Sequence, residues 1–598
     1  MIRPARECAA VVALVLAATL VSTMPASAAD RWTVSLTGAV TAAVTRADDG
    51  TLAFDVSRDG RAVLEPAPLG LRTGAADLTG GLRFLGRTDR TVDERYSMTT
   101  GKRLVRQALS AEMTLSFAGE NGVLLDIVVR AAADGVAYRY LLPAGSMTIT
   151  GEASAFKLPA AAPAWLLPYT PNYEAVRVET TAGAASVGDY GFPALFDTGE
   201  AYVLLTESDV DGRYSGARLT HLAGSYSVKL ADASVQATCP FATPWRVAIV
   251  GDLATVTEST LVDDLAPPSR LTDISWIRPG KVAWSWLSEH SSPGDPVRQK
   301  QYADFAARNG WPFLLIDEGW DASWVPDVIR YARARGVYVL LWFRWTALDT
   351  PEERAHWLPL VKSWGASGIK VDFMDSDTQA RFQFYDAIAQ ATAELRLMIN
   401  FHGATIPRGI QRTWPHVMSL EAIRGAEQFQ TRASTNTMFP FTRNVVGSMD
   451  YTPTAFVVSD RDTTDAHEVA TFLVYESGWQ HGADKPENYE ARPEALRTLN
   501  ALPTVWDETR LLSGRPGLEA VLARRSGDRW FVGGISAGPA RTFTASLGFL
   551  GGGRWSVETL RDGASGLVRE TRVVDAADGL SVPVASRGGF VAVLSKDS

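Results

Sequence analysis

The feature that most constrains this chain is a rhythm in its middle third. Apolar runs recur at VAWSWL (282–287), PFLLID (312–317), GVYVLLWF (336–343), GIKVDF (368–373), LRLMINF (395–401) and VMSLEA (417–422). Four amphipathic stretches lie between them: VRQKQYADFAARNG, VPDVIRYARARG, EERAHWLPLVKSWG and TQARFQFYDAIAQATAELR. Three of these four end in glycine, which suits a helix C-terminus because the residue just past the last turn adopts a left-handed conformation. Strands alternating with helices at this spacing specify βα units on a parallel sheet. Six runs, with room for two more before residue 500, predict a (β/α)8 barrel over a doubly wound sheet. No GxGxxG follows the first run, which removes the usual mark of a dinucleotide site.

The flanks read differently. Residues 30–265 break into short β-branched and aromatic runs such as RWTVSLTG, TLAFDVSRDG and AYVLLTESDVDGRYSG, bounded by Gly, Asp and Asn. That is the pattern of antiparallel strands, and their number predicts a large β-sandwich. A Pro-rich linker spans 265–280, and the β pattern returns from about 505 with LEAVLARRSGDRWFVGGIS and GRWSVETLRDG. At 598 residues the chain exceeds one core. The expected architecture is a central (β/α)8 barrel (271–504) between an N-terminal β-sandwich (29–270) and a smaller C-terminal β-sandwich (505–598).

Arg3 and Arg6 precede the apolar run 9–21 and then MPASAAD, so residues 1–28 read as a secretory signal cleaved after Ala28 or Ala29. The expected product is exported and free of any membrane span. Cys8 falls inside that signal, leaving Cys239 alone and no intrachain disulfide. A formal charge of −9 disfavours nucleic acid and anionic membrane as partners. Eighteen Trp suit both core packing and stacking on sugar faces.

In a barrel of this type the functional residues gather at the C-terminal ends of the strands. Those ends supply Trp284 and Trp286, Asp317 and Glu318, Arg344 and Trp345, Asp372, Asn400 and His402, then Glu421 with Glu427 beyond it. Within GIKVDF, Lys370 and Asp372 share the face turned into the barrel, since side chains alternate along a strand. A cation two residues below Asp372 favours its ionised form, which suits a nucleophile. Asp377, just before a helical run, reads as an N-cap; Asp375 is left unassigned. Glu421 and Glu427 are placed to hold a hard cation through oxygen, and a second carboxylate is needed as acid/base. There is no HExxH and no GxSxG, and only His402 of seven histidines ends one of these runs. A zinc hydrolase or a serine triad therefore lacks its parts.

These residues resemble glycoside hydrolase family 97, bacterial exo-acting α-glycosidases. The resemblance is carried by PNYEAV (171–176), LLIDEGW (314–320), GIKVDFMDSD (368–377), NFHGATIPRG (400–409), RTWPH (412–416), EAIRGAE (421–427) and LPTVWDETR (502–510). It implies the same three-domain order. It further implies Asp372 as nucleophile, Glu427 as acid/base, and Ca2+ held by Glu174, Glu421 and Glu427. Substrate contacts are expected from Trp284, Asp317, Glu318, Arg344, Lys370 and His402. Inverting members carry a glutamate base directly after the motif histidine; Gly403 stands there in this chain, as in the retaining branch. The sequence departs from the family where Ile406, Pro407, Arg408 and Gly409 stand in place of the commoner Lys-Pro-Thr-Gly, in EAIRG for EGVRG and in RTWPH for RTYPN. The implied activity is a retaining exo-α-galactosidase, with β-L-arabinopyranosidase, inverting α-glucosidase and a non-catalytic sugar-binding protein as alternatives. The expected partners are a small oligosaccharide or glycoside substrate and neither nucleic acid nor membrane, the chain being a monomer or weak homo-oligomer. A retaining pair of carboxylates is expected about 5–5.5 Å apart.

Overall fold

The structure, a computed structural model, describes residues 30–143 and 146–597. The expected signal, residues 1–28, lies outside the described residues. The N-terminal part is a 17-stranded antiparallel network with a second, four-stranded sheet. Its strands follow the alternation of their sequences: in Leu52–Arg58, Leu52, Phe54 and Val56 are buried and the residues between them are not. A core rich in Tyr138, Tyr140 and Phe156 fills the interior.

The central part is a nearly closed parallel barrel. Its strands are β1 (Gly280–Trp284), β2 (Phe313–Ile316), β3 (Tyr338–Arg344), β4 (Gly368–Asp372), β5 (Met398–Phe401), β6 (Val417–Leu420) and β7 (Trp479–Gly482). They pair in chain order, and β7 closes back onto β1. The helices α1 (Pro296–Asn309), α2 (Val325–Arg333), α3 (Pro351–Trp364) and α4 (Gln379–Glu394) follow the first four strands. Local signals explain their limits. Asp295 caps α1 by accepting from Val297 and Arg298 N–H, and Thr350 and Glu353 form a reciprocal capping box on α3. Gly310 and Gly365 terminate α1 and α3 with φ of 66° and 100°.

The barrel differs from the expected eight strands: seven are strands, and the eighth position is a single parallel bridge between Leu420 and Met449. The segment that would form it holds Gly447 and Pro453 and runs partly as short 3-10 turns. Arg443 replaces the missing ladder. Its guanidinium donates to the carbonyls of Leu420 (2.8 Å), Glu421 (3.2 Å), Gly447 (3.0 Å) and Ser448 (2.9 Å). The end of β6 and the segment beside it are thereby tied together without a strand.

The C-terminal part is a six-stranded antiparallel sheet facing a two-stranded one (Arg541–Ala545 with Leu580–Val584), around its own apolar cluster of Trp530, Phe543, Trp555 and Phe590. It packs on helix α5 (Asp465–Val474) of the barrel, where Arg524 donates to the Val474 carbonyl at 2.9 Å. Among the described residues no helix is long and apolar enough to cross a membrane.

Candidate active site

Asp372 ends β4, and the elements on either side hold it. From β3, Trp342, whose ladder partner is Lys370, donates an indole N–H to Oδ2 at 2.9 Å. After Asp372 the backbone turns sharply: Phe373 takes φ +61°, which directs its own N–H back to Asp372 Oδ1 at 2.7 Å. A bulky residue in the left-handed region is strained, and such strain collects at functional sites. The Lys370 ammonium lies 3.6 Å from Asp372 Oδ2 and 3.0 Å from Asp317 Oδ2. Burial works against an ionised Asp372, yet Lys370, His402 and the two N–H donors together hold its carboxyl below the usual range. Lys370 is itself only 3% exposed; burial opposes its charge, and the carboxylates of Asp317, Glu427 and Asp372 outweigh that, raising it well above an ordinary lysine.

The opposite wall carries the other carboxylates. Glu421 follows β6, and the Gly403 N–H donates to its Oε2 at 2.8 Å. Glu427 stands six residues further, on a single 3-10 turn (Ala426–Gln428). His402, just past β5, brings Nδ1 to 3.2 Å from Glu421 and 3.5 Å from Glu427. Its Nε2 is fixed 2.8 Å from Asp450 Oδ2, the same oxygen that accepts from Asn400 (2.9 Å) and lies 2.8 Å from His481 Nδ1. Burial opposes a charged Asp450, but His481 and His402 hold it strongly ionised. Glu427 responds in the other direction: burial raises its carboxyl, Lys370 and His402 only partly offset that, and Glu421 and Asp372 add like-charge repulsion. Asp372 and Glu427 are therefore pushed in opposite directions, the pKa of Asp372 down and that of Glu427 up.

Glu174 reaches the same cleft from the N-terminal domain, and Asp377 explains how. Asp377 is not the N-cap of α4; Thr378 is, accepting from Arg381 N–H. Asp377 is buried instead. It accepts from Tyr173 (2.5 Å), Tyr169 (3.1 Å) and Thr405 (2.6 Å) and pairs with Arg408 at 3.3 Å. Arg408 in turn binds Glu207 of the N-terminal domain. This buried hub clamps the 169–177 loop onto the barrel and delivers Glu174, whose Oε2 accepts from Gln428 at 2.6 Å. Burial, then Glu421 and Glu427, raise the Glu174 carboxyl strongly.

The walls enclose a cleft of about 290 Å³, lined by Glu174, Asp317, Glu318, Lys370, Asp372, His402, Glu421 and Glu427. It sits at the lower limit of ligand pockets, about 300–1,000 Å³, and suits one sugar ring better than a chain. Two expected residues are placed differently. Trp284 is fully buried beneath the cleft, where its indole N–H donates to Asp317 at 2.6 Å; it positions Asp317 and is not exposed to a substrate. Arg344 lies outside, its guanidinium 4.3 Å over the Phe373 ring. Alternation places Arg344 on the right face of β3 but not at the right depth; Trp342, two residues earlier, is the one that reaches the cleft. Trp342, Trp286, Asn172, Asp375 and Gln428 also line it, and Asp450 and His481 support it from behind; sequence reasoning gave none of these a role except Trp286 as a strand-end aromatic. Asp375 takes φ +38° and donates its N–H to the Gly403 carbonyl at 2.7 Å.

A cation fits these donors. Glu427 Oε1 is buried without a hydrogen-bond partner, and ligand atoms of His402, Glu421 and Glu427 lie within 4.8 Å of one another. A set dominated by carboxylate oxygens matches a hard cation rather than a soft one.

A parallel barrel whose strand ends gather carboxylates in a pocket sized for one ring has the parts of a two-carboxylate hydrolase of glycosidic bonds, with Asp372 made the stronger acid by its neighbours and Glu427 the weaker. The chain belongs to glycoside hydrolase family 97. The family models described as Glycosyl-hydrolase 97 N-terminal, Glycoside hydrolase 97, and Glycosyl-hydrolase 97 C-terminal, oligomerisation, match residues 34–268, 276–423 and 505–595. The chain is 49% identical to a probable retaining alpha-galactosidase of Streptomyces bingchenggensis (strain BCW-1), over 97% of this chain and 95% of that protein. It is 28% identical to a retaining alpha-galactosidase of Bacteroides thetaiotaomicron, over 86% and 88%. Among solved structures, a beta-arabinopyranosidase superposes with a TM-score of 0.89 at 28% identity, covering 94% of this chain and all of that one. A family 97 enzyme of Pseudoalteromonas sp. strain K8 gives the same TM-score at 23% identity, over 95% of this chain and all of that one, a likeness of fold.

Proposed function

We propose that this chain is a retaining, exo-acting α-galactosidase that cleaves terminal α-galactosides by double displacement. The observation that carries the reading is that Asp372, which the Lys370 ammonium approaches at 3.6 Å, and Glu427, whose Oε1 is buried without a hydrogen-bond partner, line one ring-sized pocket; the opposed directions in which their surroundings push the two carboxyls agree with it. Asp372 attacks the anomeric carbon; its Oδ–C1 bond forms as the C1–O bond to the leaving group breaks, and Glu427 gives its proton to the departing oxygen. Water then attacks C1, Glu427 takes the water's proton, and Asp372 departs as carboxylate. Two inversions retain the configuration. Asp317, Glu318, Lys370 and His402 supply the polar contacts to sugar hydroxyls. The relatives named as retaining alpha-galactosidases support the sugar and the stereochemistry.

The Gly403 position supports the retaining branch independently. Gly403 has φ +50°, and a Cβ there would meet Phe373 Cα at 3.0 Å and Phe373 N at 3.1 Å. A glutamate base after the histidine would have to hold this left-handed backbone and push the Phe373 backbone back by a few tenths of an ångström, so the local geometry favours glycine. A β-L-arabinopyranosidase is the second reading, favoured by the structural match to such an enzyme; its substrate has the same ring without the hydroxymethyl group. A silent sugar binder would have no use for two carboxylates of opposed acidity.

The cation we assign is Ca2+, held by Glu174, Glu421 and Glu427. When bound it supplies positive charge that offsets the mutual repulsion of these carboxylates and offers coordination to sugar oxygens. The chain is also proposed to be exported on residues 1–28, and to act as a monomer or weak homo-oligomer; the C-terminal family description favours the oligomer.

A panel of p-nitrophenyl glycosides tests the reading. The α-galactoside is expected to be hydrolysed with a higher kcat/KM than the β-L-arabinopyranoside and the α-glucoside. Asp372→Gly is expected to abolish turnover, and azide to restore it with β-galactosyl azide as product. A preference for the α-glucoside, or no rescue, overturns it.

A further inference from the structure

Four aromatic rings run outward from the barrel centre past the acid/base. Trp284 is fully buried; Trp286 is half-buried on the cleft wall, 6.1 Å from Trp284 at 20°. His290, exposed, packs on Trp286 at 4.4 Å, and Phe429 stacks on His290 at 5.6 Å and 21°. Phe429 is 39% exposed, two residues past Glu427, and held at φ +54°. Among the described residues the exposed large hydrophobics are otherwise aliphatic, apart from Phe373 at 37% beside Asp372. Folding gains little from a bulky ring that is both exposed and in a left-handed backbone. The Phe373 ring is already occupied by the Arg344 guanidinium, whereas nothing charged covers Phe429 among the described stacking contacts.

We infer that Trp286, His290 and Phe429 form the leaving-group subsite, a wall that takes a flat apolar ring face: the second sugar of an oligosaccharide or an aryl group. The inference rests on the acid/base assignment of Glu427. An acid protonates the leaving oxygen, so the leaving group must pass the wall that carries Glu427, and this wall continues from it. Aromatic rings meet sugar and aryl faces through the same apolar contact. Because the leaving group is gone after the first displacement, the wall contributes to kcat/KM and to transfer onto ring-bearing acceptors. It contributes nothing to hydrolysis of the glycosyl-enzyme.

The experiment compares kcat/KM of the wild type, Phe429→Ala and His290→Ala on α-galactosyl fluoride, which has no ring in its leaving group, on the p-nitrophenyl α-galactoside and on a galactosyl-glucose disaccharide. Each alanine variant is expected to lose about three- to tenfold more on the ring-bearing substrates than on the fluoride. Phe429→Tyr is expected to restore the ratio. A loss on the aryl glycoside alone identifies an aromatic leaving group, and a loss on the disaccharide alone a sugar. Equal losses on all three substrates, or none, overturn the inference. If the wild type turns over no α-galactoside, the sugar assignment fails instead; the same ratio, taken on the fluoride and aryl glycoside of the pyranose it does hydrolyse, then decides the wall.

Discussion

Replacing Lys370 by methionine removes the charge that keeps Asp372 ionised while filling the same space. The ammonium is 3.6 Å from Asp372 Oδ2 and almost wholly buried. At an effective dielectric constant of about 20, unit charges at that distance attract by about 4–5 kcal/mol. Every 1.36 kcal/mol is tenfold, so the ratio of ionised to protonated Asp372 falls by up to roughly a few thousandfold. The Trp342 and Phe373 N–H donors remain and soften that fall. The acid limb of the kcat/KM profile therefore moves to higher pH: burial, which raises Asp372, loses its main counterweight. Activity at neutral pH drops and recovers in part under alkaline conditions. Stability also falls, by about 3–5 kcal/mol, because Asp317 and Asp372 lose a buried partner. The assay is kcat/KM from pH 4 to 10 at a temperature below the lowered Tm, with Lys370→Arg as the charge-retaining control. A lower plateau with an unmoved acid limb would refute the reasoning and leave Lys370 a packing role only.

Two further outcomes follow from other parts of the molecule. Chelation is expected to lower both Tm and activity, and Glu174→Gln to weaken retention of the metal measured by elemental analysis; a metal-free protein with unchanged melting in EDTA contradicts the cation. Buried His467 accepts from Asn436 at Nε2 and donates from Nδ1 to the Arg587 carbonyl, and burial lowers it to about 4. A histidine depressed when folded takes up its proton on unfolding, so its contribution to stability is full above about pH 6.5 and is lost as pH falls toward 4. Urea unfolding should show wild type losing about 2 kcal/mol more than His467→Gln between pH 6.5 and 5. A constant difference between the two proteins refutes this.

The parallel barrel was legible because strand–helix alternation is a one-dimensional pattern, and the faces of Lys370 and Asp372 followed from the two-residue period of a strand. Depth did not follow. Trp342 and Arg344 share that period, yet only Trp342 reaches the cleft, since Arg344 is the last residue of the strand and its guanidinium lies over the Phe373 ring. Trp284 failed the same way, one layer too deep. Asp377 carried an N-cap signal from its neighbours, but its ligands Tyr169 and Tyr173 lie in the N-terminal domain, so domain docking overrode the local reading. Asp450 had no periodic context because the eighth strand is replaced by Arg443 and a single bridge, and His481 sits on the short strand β7, whose four residues make too brief a run to stand out. Glu174 was reached through family resemblance alone, since nothing in its local sequence reports a contact made across domains.

The central claim is that Asp372 and Glu427 act as nucleophile and acid/base of a retaining pair. Proton NMR of the sugar released in the opening turnovers, before mutarotation, tests it most directly. The account predicts that the α-anomer of galactose appears first from an aryl α-galactoside. Initial release of the β-anomer would contradict it.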